Sequence, residues 1–476
     1  MEEEDEMVHV VHEIVWGPGL LLAFLGVGIY YTAAFRFFQI RKIKYWMRET
    51  AGSIVGKNKE YGESRRIESR TEGGTGESRH GVSQFQSACT ALAATIGTGN
   101  IVGVATALTA GGAGAIFWMW ISAVIGMMTA YAETYLGIRY RQRKRDGSWI
   151  CGPMVYLEKG MDCPVLAIIY GICCIMTSLG MGSMVQANSL AETASYSWKM
   201  PPFAVGAVLT IGVFAVIKGG IKRIASVSEK IVPMSAGIYF FFSMAVILSC
   251  FSRIPDIFAE IFHSAFLPSS VLGGAAGIYI SKSLQYGISR GVFSNEAGLG
   301  TLAILHGAAE DTTPEKQGMW AIFEVFVDTI VICTMTALVI LLMTDGKPQS
   351  AGISGAALTA LCFSVRMGTA GEWLVSLSMV IFAFATIIAW YYLGKQAVSY
   401  VTEKLSIGRR TGDVLYTSLY LNAVFWGCLS GMEAVWEFAD IWNGLLAIPN
   451  LAALIGMRKA VKCGNEKTAV YRKQKK

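Results

Sequence analysis

The chain has 476 residues, of which 53% are hydrophobic and only 16% are charged, and its formal net charge is +6. Soluble globular proteins carry about 25% charged residues, so this composition excludes an ordinary soluble protein and favours a membrane protein. The ten cysteines and five histidines show no metal-ligand spacing and no nucleophile–base pattern. We therefore expect neither a resident metal nor enzymatic activity.

Eleven segments are apolar and long enough to cross about 30 Å of hydrocarbon as α-helices. The sequence thus predicts an all-α polytopic membrane protein with about 11 transmembrane helices. The second and seventh segments differ from the others because glycine and polar residues interrupt them. In chain order, the predicted spans are 14–36, 84–110, 114–138, 164–194, 201–219, 224–251, 271–305, 318–344, 372–400, 413–431 and 433–457.

The positions of lysine and arginine predict the orientation in the membrane. With the N-terminus outside, the cytoplasmic loops and C-terminal tail hold 34 of the 40 basic residues, whereas the outer loops hold four. The positive-inside rule therefore places the N-terminus outside and the C-terminus inside the cytoplasmic membrane. Topology accounts for the positive charge, so no nucleic-acid partner is expected, and nothing indicates an obligatory protein partner.

The two interrupted spans lie five spans apart. The first contains "ATIGTGNIVG" at 94–103 and the second "GVFSNEAGLGT" at 291–301. Because five is odd, two groups of five spans run in opposite directions through the membrane. Breaks at matching positions of two inverted halves indicate the substrate site of a secondary transporter. A G-x-x-x-G pair such as Gly99 and Gly103 could instead serve helix packing.

This repeat sets the predicted organisation of the chain. One extra transmembrane helix precedes two inverted five-helix repeats, and a polar stretch of mixed charge separates that helix from the first repeat. The predicted units are an N-terminal extracellular tail, the extra helix and the start of a cytoplasmic loop (1–56), a flexible cytoplasmic loop (57–83), the first repeat (84–251), an extracellular loop (252–270), the second repeat (271–457) and a basic cytoplasmic tail (458–476).

Five blocks of the sequence form a recognisable set. They are "ALAATIGTGNIVGVATAL" (91–108), "GAIFWMWISAVIGMMTAYAETYLGIRYR" (114–141), "GPMVYLEKG" (152–160), "MVQANSLAE" (184–192) and "GVFSNEAGLGT". These blocks resemble the signature blocks of the alanine or glycine:cation symporters, the sodium:alanine symporter family. The resemblance implies a LeuT-type fold of two inverted five-helix repeats, which agrees with the span count. It also implies sodium-coupled import of small neutral amino acids, with alanine and glycine first.

The resemblance also implies a set of substrate-binding residues. Free N–H groups at a half-helix N-terminus suit the substrate carboxylate. The Gln186 carbonyl can accept from the ammonium group, and the Phe293 and Trp390 rings can enclose a small apolar side chain. The residues implied are Thr98, Gly99, Asn100, Gln186, Phe293, Ser294, Asn295 and Trp390.

Sodium is the co-transported ion that the resemblance implies. Its expected ligands are the carbonyls of Ala93 and Ile96 and the Thr386 hydroxyl, with Asn100 nearby. Ionisable residues within spans are candidates for function by default, so coupling to protons is the alternative. The carboxylates in question are Glu133, Glu192, Glu324 and Asp328, each of which could also be purely structural.

Two strings depart from the pattern of the family. The seventh span ends in "GTLAILH" (300–306), and the ninth span contains "AWYYLGKQ" (389–396). These departures leave the expected site residues in place but leave the preferred amino acid open. A non-transporting sensor of the same fold is a further alternative.

Overall fold

The computed structural model describes residues 15–55, 82–144, 147–266 and 282–463. Most of the predicted flexible loop and of the predicted basic tail lies outside these residues. The α-helices are α1 Pro18–Ala34, α2 Phe38–Arg41, α3 Ile43–Glu49, α4 Ala51–Val55, α5 Gln84–Thr95, α6 Val102–Gly111, α7 Gly114–Tyr140, α8 Pro153–Met161, α9 Pro164–Leu179, α10 Val185–Trp198, α11 Pro202–Ile217, α12 Gly220–Leu248, α13 Ile254–Phe266, α14 Lys282–Asn295, α15 Thr301–Gly307, α16 Pro314–Val325, α17 Thr334–Met343, α18 Gly355–Met367, α19 Thr369–Lys404, α20 Arg409–Gly427 and α21 Met432–Gly456.

Among the described residues, six helices are long and apolar enough to cross a membrane. A seventh span results if Gln84–Thr95 and Thr98–Gly111, which meet at an angle of 56°, are counted together. Three shorter apolar helices are α1, α11 and α18. The structure therefore confirms an all-α polytopic membrane protein, while the number of eleven spans stays a prediction.

Proline marks where several of these helices begin. Pro18, Pro153, Pro164, Pro202 and Pro314 each stand at the start of a helix. A first-turn N–H has no partner inside the helix, so proline loses nothing there, and its fixed φ suits the helix. The sequence thus sets the start of two long spans and three shorter helices directly.

Two spans contain π-helical segments. Gly180–Met184 joins α9 to α10, and Phe326–Cys333 joins α16 to α17. A π-helical turn widens the helix and releases carbonyl groups from the regular hydrogen-bond pattern, and it often occurs at functional sites. Both segments lie beside the helix breaks described below.

A short β-hairpin connects α7 to α8. Its strands, Gln142–Arg143 and Trp149–Ile150, are antiparallel, with Gln142 opposite Ile150. The Arg141 guanidinium lies 4.0 Å from the centre of the Trp149 ring. Arg141 also donates to the Gly307 carbonyl at 3.0 Å, which ties the hairpin to the end of α15.

The centre of the molecule is formed by helices that pack on the two broken spans. α7 lies against α14, α15 and α16, while α19 lies against α5, α9 and α10. In this arrangement α7 supports the second break and α19 supports the first.

Candidate functional site

The first break lies where the sequence analysis expects it. Helix α5 ends at Thr95, and Ile96 (φ −75°, ψ 89°) leaves the helical region. A 3₁₀ turn over Thr98–Asn100 follows before the helix resumes at Val102. The Gly97 N–H donates to Asn100 Oδ1 at 2.9 Å, so a side chain replaces the missing helical acceptor.

Three of the four residues proposed to bind sodium meet at this break. Thr386 Oγ1, from α19, donates to the Ala93 carbonyl at 2.8 Å and lies 3.4 Å from the Ile96 carbonyl. Carbonyls at the C-terminal end of a half-helix are typical sodium ligands in transporters. The side chain of the fourth residue, Asn100, makes other contacts. Its Oδ1 accepts from the Gly97 N–H, and its Nδ2 donates to Asp328.

Gln186 lies beside the same turn. Its Oε1 accepts from the Thr98 N–H at 3.1 Å, and its Nε2 donates to the Met181 carbonyl at 3.2 Å. The π-helical turn makes that carbonyl, five residues earlier, available. Gln186 Oε1 is the expected acceptor for a substrate ammonium group. In the structure it accepts instead from the Thr98 N–H, a group that is expected to face the substrate carboxylate.

Asp328 joins the two breaks. Its Oδ1 accepts from Asn100 Nδ2 at 2.7 Å, and its Oδ2 accepts from the hydroxyls of Ser294 and Thr329, each at 2.8 Å. Asn295 Nδ2 in turn donates to Thr329 Oγ1 at 3.1 Å. The sequence marks Asp328 only as one of four carboxylates within spans. Its position between both breaks is a finding of the structure.

The second break follows Asn295, where α14 ends. Glu296, Gly298 and Gly300 all have positive φ, at 57°, 98° and 81°. Glycine adopts this conformation without a steric penalty, which explains its presence at two of the three positions. Glu133 Oε2 accepts from the N–H groups of Gly298 and Gly300 at 3.2 and 3.0 Å, and from Asn450 Nδ2 at 2.8 Å.

Trp390 is completely buried and lies beside Glu296 of the second break. Its indole N–H donates to Glu296 Oε1 at 3.0 Å. A Cβ atom on Gly182 would come within 2.5 Å of Trp390 Cβ, so the π-helical segment packs directly on this side chain. The sequence places Glu296 among the glycines of "GVFSNEAGLGT" but does not predict its contact with the indole.

An ion pair and the Trp436 ring lie against Phe293. Arg290 donates to both carboxylate oxygens of Asp440, at 3.1 and 2.9 Å. The Phe293 ring stacks on the Trp436 ring with centroids 5.0 Å apart, and the Arg290 guanidinium lies 5.1 Å from the Trp436 centroid. A buried bidentate pair of this kind fixes the position of α14 against α21.

Four buried oxygen atoms near the breaks have no hydrogen-bond partner among the described residues. They are Thr98 Oγ1, Glu133 Oε1, Glu296 Oε2 and Thr301 Oγ1. A buried polar atom without a partner costs about 1–3 kcal/mol, so such atoms favour a bound ligand. All eight residues proposed to bind substrate are buried, and the structure brings them to the region of the two breaks.

Comparisons with known proteins agree with this architecture. The model of the sodium:alanine symporter family matches residues 1–476. The chain is 38% identical over 454 residues to the sodium/alanine symporter of Methanococcus maripaludis, covering 94% of each chain. It is 31% identical over 459 residues to the probable sodium/glutamine symporter of Bacillus subtilis, covering 96% of this chain and 89% of that one.

Among solved structures, the chain resembles MhsT in complex with L-phenylalanine. The TM-score is 0.57 at 16% identity, over 80% of this chain and 90% of that one. This likeness confirms the predicted LeuT-type fold. The relatives are transporters, which confirms that the chain is a multi-pass membrane transporter and not an enzyme. The chain belongs to the sodium:alanine symporter family.

Proposed function

We propose that the chain is a sodium-coupled symporter that imports small neutral amino acids, alanine or glycine first, across the cytoplasmic membrane. The observation that carries this proposal is the meeting of three oxygen groups at the first break, those of Ala93, Ile96 and Thr386. Gly97 connects this ion site to Gln186. A Cβ atom at Gly97 would lie 2.6 Å from Thr386 Oγ1 and 3.0 Å from Gln186 Oε1.

The space between the two breaks supports a small substrate. A Cβ atom on Gly99 would lie 3.2 Å from Ser294 Cα and 3.3 Å from Phe293 Cδ1, so the breaks approach each other closely there. The buried Phe293 and Trp390 rings limit the room for a substrate side chain further. Alanine and glycine fit these limits better than glutamine, which one relative is named for.

The unpaired groups favour a zwitterion. Thr98 Oγ1 can donate to a carboxylate, while Glu296 Oε2 can accept from an ammonium group. Both atoms are buried and have no partner at hydrogen-bonding geometry among the described residues, and the Thr301 hydroxyl lies close to Glu296. A zwitterionic substrate would satisfy both, which repays the cost of burying them.

Contacts on both sides of the site support alternating access. On one side, Arg290 and Asp440 hold α14 to α21. On the other side, Ser87 Oγ of α5 donates to the Leu305 carbonyl of α15 at 2.8 Å. Each contact ties one half of a broken span to a neighbouring helix, so breaking one set at a time would open one side of the site at a time.

Uptake by purified protein in proteoliposomes tests the proposal. We expect alanine to accumulate under an inward sodium gradient and not when sodium is equal on both sides. Accumulation driven equally well by a pH gradient alone would instead show proton coupling. Alanine binding without accumulation under any gradient would show a sensor.

Thr386→Ala is expected to raise the sodium concentration for half-maximal uptake by about fivefold, because one oxygen ligand is lost. The measurement is the sodium dependence of alanine uptake at saturating alanine. Thr386→Ser keeps the hydroxyl and serves as the matched control, with a sodium dependence close to that of the unmodified chain. An unchanged sodium dependence in Thr386→Ala would remove this residue from the ion site.

The orientation is part of the proposal and rests on the basic residues. A single cysteine introduced between residues 57 and 83, in a chain whose own cysteines are replaced, should react with an impermeant thiol reagent only in inside-out vesicles. The positive-inside rule keeps the loops that are rich in lysine and arginine, including 57–83, in the cytoplasm, so intact cells should give no labelling. Labelling in intact cells would reverse the orientation and the direction of each repeat.

A further inference from the structure

A second buried cluster lies on the same side of the site as α5. His306, at the end of α15, and Glu324, on α16, are 0% and 1% exposed, and His306 Nε2 lies 2.9 Å from Glu324 Oε2. The cluster includes Thr95, the last residue of α5, whose hydroxyl lies 3.3 Å from Glu324 Oε1. Neither His306 nor Glu324 belongs to the proposed substrate or sodium residues.

The imidazole of His306 lies between Glu324 and Gln317. Gln317 Nε2 lies 3.2 Å from His306 Nδ1, and the Thr312 hydroxyl lies 3.2 Å from Gln317 Oε1. An ionised Glu324 can only accept, so the imidazole proton that faces it resides on Nε2, and Nδ1 accepts from the Gln317 amide. His306 is therefore a neutral imidazole that donates to Glu324 Oε2.

The other oxygen of Glu324 can exist in two satisfied states. With Glu324 ionised, the Thr95 hydroxyl donates to Oε1. With a proton on Oε1, the carboxyl group donates to Thr95 Oγ1, and the Thr95 hydroxyl turns to the Ala91 carbonyl, 3.3 Å away. Only a proton is gained and only one hydroxyl rotates, so every polar atom keeps a partner in both states.

We propose that Glu324, oriented by His306, is a proton-binding site, and that the bound proton weakens the contact between α5 and α16. A hydrogen bond to an ionised group is about twice as strong as one between neutral groups. Protonation replaces the former by the latter at Thr95.

Other titratable groups surround Glu324 and must be separated from it in any experiment. Asp328 of the same span and Glu296 of the second break lie near enough to interact electrostatically. Cys89 of α5 also interacts electrostatically with Glu324, and with Glu229 of α12. Helix α7 contributes Tyr131, which contacts Gly318, whereas α3 packs the uncharged Trp46 ring against Phe326.

Infrared spectroscopy of the purified full-length protein tests proton binding directly. During a pH titration, we expect a protonated-carboxyl C=O band that is absent in Glu324→Gln. His306→Leu should shift the midpoint of this band by about one pH unit or more, toward higher pH, because the N–H that stabilises the ionised carboxylate is lost. An unchanged set of titrating bands in Glu324→Gln would overturn the proposal, whether or not the protein transports alanine.

The effect on opening rests on the proposed symport and is measured separately. Sodium-driven alanine uptake is compared at about pH 5.5 and about pH 8.5, with the pH equal on both sides so that no proton gradient contributes. We expect uptake to be about fivefold faster at the lower pH, since the weaker Thr95 contact favours release of α5. Glu324→Gln should be fast at both pH values.

Glu260→Gln provides the matched control, because Glu260 is exposed on α13 and is not one of the carboxylates considered for proton coupling. It should keep the pH profile of the unmodified chain. A Glu324→Gln protein that retains that profile would overturn the role in opening, while its sodium-driven uptake would leave the proposed symport intact. If the unmodified chain takes up no alanine, the proposed symport fails, and the infrared titration still decides the proton site.

Discussion

Replacing Gly97 with alanine is expected to lower sodium-driven alanine uptake by about tenfold or more, since overpacking of this degree distorts a buried site. The added Cβ would lie 2.6 Å from Thr386 Oγ1, closer than real Cβ contacts allow, and 3.0 Å from Gln186 Oε1, which is unusually tight. Thr386 must then leave the carbonyls of Ala93 and Ile96, or Gln186 must release Thr98. The measurement is uptake together with equilibrium alanine binding to the purified, monodisperse variant.

Gly103→Ala is the matched control for this prediction. Gly103 lies in the same span, and a Cβ atom there would meet nothing within 4 Å. Uptake by Gly103→Ala should therefore be close to that of the unmodified chain. The open space at Gly103 also argues against close helix packing through the Gly99–Gly103 pair. Normal alanine affinity in a well-folded Gly97→Ala protein would refute the placement of the ion and substrate sites at this break.

Glu133→Ala is expected to destabilise the protein by about 3 kcal/mol or more, because three buried donors lose one shared acceptor. Those donors are the N–H groups of Gly298 and Gly300 and the side-chain amide of Asn450. The N–H groups have no helical acceptor because the backbone is open there. Thermal unfolding in detergent measures the effect, and alanine binding at a temperature where the variant is folded measures the damage to the site.

Glu133→Gln keeps a carbonyl oxygen in the same place and should restore most of the stability. This pair of variants separates loss of the acceptor from loss of the negative charge. Equal destabilisation by Ala and Gln would show that the charge, rather than hydrogen bonding to the second break, is what the fold needs. An Ala variant as stable as the unmodified chain would show that the open backbone finds other partners.

The sequence reveals those features of the fold that depend on local composition. Apolar length predicts where the spans lie, and glycine with polar residues predicts that the helix opens near Gly97 and near Gly298. These signals are strong because a broken helix in hydrocarbon is tolerated only where something compensates for it. The family blocks then supply the fold and the identity of the candidate site residues.

The contacts that organise the site depend on how helices rotate and tilt against each other, which local patterns do not encode. Asp328 reaches Asn100 across 228 positions, and Asn450 reaches Glu133 across 317. The sequence could identify Asp328 and Glu133 as unusual because carboxylates within spans are costly. Which donors they hold depends on how α7, α21 and the π-helical segment Phe326–Cys333 lie beside the breaks.

Helix α19 has a mechanical consequence because it is 36 residues long and unbroken. At 1.5 Å per residue, Lys404 lies about 27 Å along the axis from Thr386, so a tilt of about 5° at Thr386 moves Lys404 by roughly 2 Å. Lys404 and Tyr400 donate to Glu158 of α8 at 2.7 and 2.5 Å. A hydrogen bond does not survive a displacement of that size. A change in the tilt of α19 at Thr386 therefore requires the hydrogen bonds of Lys404 and Tyr400 to Glu158 to break or to re-form.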